Sequence, residues 1–169
     1  LYATTLSTNT ATYSISNISV IEITNDTNLP RINYEGFSYQ DSLGSEEVTN
    51  GDFATDTDWN KTQATISNGE VNISSDGSYA AIDQGNVSVI GKTYFYSIDV
   101  KSIIGTLQFR LGSGTDVEIT TTGVKTGYIN ATSTTLEVKR KSGAGVIDAR
   151  IDNVSVKEVL GQEVVPDSG

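Results

Sequence analysis

The sequence predicts an all-β chain built on a two-sheet antiparallel β-sandwich, a jelly roll, and three observations predict it. Thr and Ser run through nearly every segment, and Thr suits the pleated, half-buried surface of a strand. Apolar and polar residues alternate with a period of two over several short runs, as they must where a strand buries one face. Gly- and Asn-containing turn signals punctuate those runs at intervals of roughly 8–12 residues, with no helical periodicity between them.

Taken in order, Thr62 to Ser67 and Glu70 to Ser74 flank Asn68-Gly69, a hairpin signal because both central residues of a type I′ turn need positive φ. Tyr79 to Gln84 follows as a short strand. Thr93 to Lys101 places Tyr94, Tyr96, Ile98 and Val100 on one face, and Leu107, Phe109 and Leu111 alternate with Gln108 and Arg110. Val117 to Thr121, Thr126 to Ala131, Leu136 to Lys141 and Val146 to Val159 complete the series, with Gly112-Ser113-Gly114 and Ser142-Gly143-Ala144-Gly145 as turns. The expected core is Phe53, Trp59, Ile66, Val71, Ile73, Ile82, Ile129, Leu136, Val138, Ile151, Val154 and Val156, together with the apolar members of the two alternating runs.

An internal echo sets the expected organisation. Ile15-Ser16-Asn17-Ile18-Ser19-Val20-Ile21-Glu22-Ile23 matches Ile151-Asp152-Asn153-Val154-Ser155-Val156-Lys157-Glu158-Val159 in polar as well as apolar positions. Each copy reads as the last strand of a β domain. Residues 1–23 then form the end of a preceding β module, 24–47 a connector, 48–160 a complete module and 161–169 the start of the next connector. The competing arrangement is one continuous domain in which residues 1–23 join the same sheet. With no Met, and ends at Leu1 and at Val165-Pro166-Asp167-Ser168-Gly169, the chain reads as an excerpt of a longer polypeptide.

Composition excludes several function classes. Eleven basic against 21 acidic residues give a net charge of −10, a field that repels phosphate backbones and anionic lipid and argues against nucleic-acid and membrane-surface partners, and no run approaches the ~20 apolar residues that membrane insertion needs. The absence of Cys and His removes thiolate nucleophiles, zinc sites and the usual general base. The chain is therefore expected not to be an enzyme.

With Val48-Thr49-Asn50-Gly51-Asp52-Phe53 and Asp58-Trp59 at one end and Ile151-Asp152-Asn153-Val154-Ser155-Val156 at the other, residues 48–160 resemble the jelly-roll carbohydrate-binding modules that accompany xylan- and glucan-degrading enzymes. They are also similar to the tandem modules of phage tail and head fibres and of large bacterial surface proteins, whose linkers resemble Asn28 to Tyr34 and Gly161 to Gly169. Two departures weaken the likeness. Ala54 stands where the family commonly has a calcium-ligating Glu, and Gln63-Ala64 stands where a second Trp is often found.

Three constellations follow. Asp52 and Asp152, with backbone carbonyls, could supply oxygen ligands to a structural calcium ion if the two motif ends lie side by side; the competing reading has Asp52 capping a turn and Asp152 facing solvent. Gln108 and Arg110 point together, away from the apolar face of their strand, and with Phe95 and Tyr128 as platforms they make the candidate glycan site. The competing reading is a solvated polar face. Asn17, Asn25, Asn60, Asn72, Asn86, Asn130 and Asn153 head Asn-x-Ser/Thr sequons, most of them incidental in so Asn- and Thr-rich a chain.

The functional expectation is a non-enzymatic structural and adhesive module of a virion, a phage fibre or appendage, presenting a glycan-binding surface to the host. The alternative is a carbohydrate-binding module of a secreted polysaccharide-degrading enzyme or a bacterial surface adhesin. Expected partners are copies of itself, a trimer among the options, other virion proteins, and a cell-surface glycan. The expected location is a virion or the extracellular or cell surface.

Overall fold

A computed structural model describes residues 37–114 and 116–166, with the backbone alone described for 37–40 and 162–166. Its strands are β1 (Phe37–Glu46), β2 (Asn60–Thr62), β3 (Ala64–Ser67), β4 (Glu70–Ser75), β5 (Ala81–Gln84), β6 (Thr93–Ile104), β7 (Leu107–Arg110), β8 (Val117–Ile119), β9 (Gly123–Asn130), β10 (Leu136–Arg140) and β11 (Ile147–Pro166). One layer has the order β3-β4-β11-β6-β9, with β1 joined to β11, and the other β2-β5-β10-β7-β8. Every pairing is antiparallel. From β4 onward the chain crosses between layers at each step except β7 to β8, which is the winding of a jelly roll. The expected all-β sandwich is the observed one.

The core lies where the alternation puts it. Tyr94, Tyr96, Ile98 and Val100 of β6 face Leu107, Phe109 and Leu111 across the layers, and Tyr96 stacks on Phe109 at 4.6 Å between ring centroids. Each fully buried Leu, Ile or Phe of this kind contributes about 1.5–3 kcal/mol. Val48, Ala80, Val87, Ile119, Ala131, Ile147 and Ala149 join the expected core residues, while Ile66 is only partly buried. Asn68 (φ 55°) and Gly69 (φ 76°) form the expected left-handed turn between β3 and β4.

Two bulges bend the central pair. Arg150 pairs with Ser102 and Ile151 with Val100, leaving Lys101 extra on β6. Asp152 pairs with Asp99 and Ser155 with Ser97, so β11 carries an extra residue beside Asn153 (φ 49°). The bulge explains why β11 buries Ile147, Ala149 and Ile151 and then changes parity to bury Val154 and Val156.

The sequence motifs at the two ends of the module meet here. Val154 N donates to Gly51 O at 2.9 Å. Asn50 (φ 53°) organises the loop that follows: its Nδ2 donates to Thr55 O (2.8 Å) and Thr57 O (3.0 Å), and its carbonyl accepts from Trp59 Nε1 (3.0 Å). Buried Gln84 locks the same loop from below, donating to Thr49 O (2.9 Å) and Asp58 O (3.0 Å) and accepting from Thr49 N (2.8 Å). Phe53 and Trp59, 5.4 Å apart, plug that end of the sandwich.

Three boundaries differ from the sequence expectation. Residues 37–46, expected as connector, form β1, and 161–166, expected to open the next connector, prolong β11; each supplies the other's backbone partners, from Phe37 opposite Pro166 to Glu46 opposite Lys157. The run from Thr62 to Ser67 is not one strand. Gln63 adopts φ 47°, and the chain leaves β2 in the five-stranded sheet to enter β3 in the other. The earlier module assigned to residues 1–23, and with it the first copy of the echo, lies outside the described residues.

Candidate functional site

The outer face of the five-stranded sheet can be read from register, because directly paired residues of antiparallel strands point to the same side. One row across β2, β5, β10 and β7 is Asn60, Asp83, Glu137 and Arg110. The next is Thr62, Ala81, Lys139, Gln108 and Glu118, reaching β8. Gln108 and Arg110 thus share a face, as the alternation of β7 predicts, and the other side of that strand is core.

This face is a packed polar surface rather than a solvated one. Gln108 is 8% exposed, Glu137 8% and Lys139 6%. The Arg110 guanidinium pairs with Glu137 Oε2 through Nε and Nη2, and the Tyr79 hydroxyl donates to Glu137 Oε1. Asn60 Nδ2 donates to Asp83 Oδ2 at 2.8 Å, Gln108 Nε2 to Asp116 Oδ2 at 3.4 Å, and Lys141 pairs with Glu118 at 2.6 Å. Burial, followed by the Glu137 carboxylate, pushes the Tyr79 phenol up to about 12.

Tyr79 is the residue that sequence reasoning missed. Glu137, which holds its hydroxyl, pairs with Asp83, four positions further along the strand from Tyr79. From its place just before β5 the hydroxyl therefore reaches the row of the face that holds Asp83 and Glu137. Half of Tyr79 remains exposed. The outcome is a half-exposed aromatic ring tied to the row of Asn60 and Arg110 and on the same face as the row of Lys139 and Gln108, a combination of apolar platform and planar or charged hydrogen-bonding groups that suits a sugar ring and its hydroxyls. A shallow depression of about 190 Å³ between Arg110, Glu137, Gly112, Ser113, Ser133 and Thr135 continues the face at one end.

Phe95 and Tyr128, expected to complete the site with Gln108 and Arg110, do not join it. They pair with each other on β6 and β9, in the opposite sheet, with rings 5.4 Å apart edge to face. The separation arises at Gly105 (φ 92°), where the chain turns between β6 and β7 and changes layer; a side chain there would meet Val146 O at 2.3 Å. The Tyr128 hydroxyl donates to Asp41 of β1, which raises the phenol's pKa.

The motif ends that carry Asp52 and Asp152 lie side by side, through the Gly51–Val154 contact, but their carboxylates serve local structure. Asp52 Oδ1 accepts from Ala54 N at 3.3 Å. Asp152 accepts from Asn153 N (2.6 Å) and Nδ2 (3.0 Å) and pairs with Lys101 at 3.4 Å. Among the described residues no three acidic side chains gather as a metal-ligand set.

No protein-family model and no curated protein matches this chain. Among solved structures, one described as "CBM4 structure and function" aligns with a TM-score of 0.36 and 14% identity, over 62% of this chain and 81% of its own.

Proposed function

We propose that this chain is a non-enzymatic glycan-binding module whose recognition surface is the outer face of the five-stranded sheet. The observation that carries the reading is Tyr79, held along that face by Glu137, which Arg110 grips from the other side, with Gln108 and Asn60 within the same two rows. Binding is favoured over hydrolysis because a glycosidase needs one carboxylate free to donate a proton and another free to attack or to activate water. Here Glu137 is committed to Arg110 and Tyr79, and Asp83 to Asn60.

A glycan array tests it directly. Wild-type protein retains a defined set of oligosaccharides, and Tyr79→Ala or the pair Gln108→Ala/Arg110→Ala loses them with the fold intact by circular dichroism. Failure of the wild-type protein to retain any sugar overturns the reading.

The setting we propose is a virion appendage, at the extracellular surface, where copies of the chain assemble, a trimer being the fibre-like state, and display this face to host glycans. The echo of 151–159 at 15–23 and the acidic, Thr-rich sandwich support it. Mass spectrometry of purified particles containing the chain, with light scattering of the isolated protein, tests setting and assembly together. Detection only beside a secreted polysaccharide-degrading catalytic domain supports the alternative setting instead.

A further inference from the structure

The cations of the candidate face are not equivalent. Arg110 is neutralised by Glu137 and Lys141 by Glu118. Lys139 occupies the middle strand, with Ala81 on one side and Gln108 on the other, and only 6% of it is exposed. Its backbone pairs with both neighbouring strands, but its ammonium takes part in none of the side-chain hydrogen bonds or ion pairs of the described residues. No fully buried side-chain nitrogen or oxygen among those residues lacks a hydrogen-bond partner, so the unpartnered ammonium must still touch solvent. A lysine whose stem is buried and whose ammonium, reaching solvent on this face, is paired with none of the carboxylates around it is costly to bury and is stabilised by an incoming anion.

We infer that Lys139 is the anchor for an acidic group on the ligand, so that the glycan carries an isolated carboxylate, as a uronic or sialic acid residue does. This rests on the glycan-binding reading above. The overall charge of −10 sets the other limit: a densely charged polyanion is repelled at long range, whereas a single carboxylate on an otherwise neutral sugar meets mainly the local ammonium. Gln108 beside Lys139 can serve the neighbouring hydroxyls, and Tyr79 the ring face.

The experiment is a glycan array printed with oligosaccharides ending in uronic or sialic acid beside the same oligosaccharides as methyl esters. It is probed with the wild-type chain, Lys139→Met, Lys139→Arg and Tyr79→Ala. The wild type should prefer acid over ester by about tenfold or more, the scale of a charge-assisted hydrogen bond. Lys139→Met keeps the stem and should bind acid and ester equally. Lys139→Arg should keep the preference, and Tyr79→Ala should weaken both forms together. Equal retention of acid and ester by the wild type, or an unchanged preference in Lys139→Met, overturns the anchor and leaves the glycan reading standing. Retention of no printed sugar by the wild type overturns both. Cooperative thermal unfolding well above the array temperature in every variant establishes that loss of folding is not what changed.

Discussion

Gly51 has no room for a side chain, since a Cβ there would lie 2.0 Å from Val154 O, a backbone atom that cannot swing aside. Gly51→Ala should therefore cost about 2 kcal/mol or more in urea denaturation, as overpacking against a fixed backbone does. Gln84→Ala should cost about 2–3 kcal/mol, because the Thr49 amide and two loop carbonyls lose the side-chain partner that holds them near the core. Neither residue touches the candidate face, so stability should fall while sugar retention per folded molecule is kept. At Tyr79 the folded state favours the protonated phenol, with a pKa of about 12 against an ordinary 10.0. The associated stability is fully present below pH 10 and disappears as pH rises through the folded value. Alkaline absorbance titration should show a phenolate component near pH 12 in the wild type that is missing in Tyr79→Phe. If it titrates near 10 instead, neither the burial of the ring nor its Glu137 contact persists in solution. The importance of Tyr79 was not legible in the sequence, because its contact is with a residue on β10 that only the strand order brings near.

At the scale of the elements, most strands are legible because each turns its apolar side chains to one face, and that period of two holds in Tyr94 to Val100, Leu107 to Leu111 and Leu136 to Val138, even though β7 and β10 also bury polar side chains on the other face. What alternation cannot reveal is which sheet a strand joins. That is why the sequence groups Phe95 and Tyr128 with Gln108 and Arg110: all four lie in alternating runs, and the layer change at Gly105 is invisible to periodicity. The break at Gln63 went unread for a related reason, since nothing in Thr62-Gln63-Ala64 demands positive φ. The bulge in β11 did leave a trace. Apolar residues fall at odd positions up to Ile151 and at even ones from Val154, and the Asn153 between them is of a type that tolerates the left-handed region. Asn153→Val should destabilise the sandwich by about 1–2 kcal/mol in denaturant titration, since a β-branched residue resists that backbone, whereas Asn153→Gly should be close to neutral.

For the whole molecule, the jelly-roll winding places two unlike outer faces on opposite layers. One carries Tyr79 among buried and paired polar groups, and the other carries Phe95 and Tyr128 beneath the reach of Asp41. The proposed recognition surface is the first, because its paired polar groups are fixed before any ligand arrives and little side-chain entropy would be lost on binding. The negative charge of the chain limits what such a face can attract from a distance, and under the proposed binding of a singly charged sugar added salt should matter only modestly.

The most direct test is to map amide chemical-shift changes on addition of an oligosaccharide retained on the array. The changes should cluster on β5, β7 and β10 around Tyr79, Gln108, Arg110 and Lys139. Changes confined to Phe95, Tyr128 and their neighbours on β6 and β9 would contradict the assignment of the binding face.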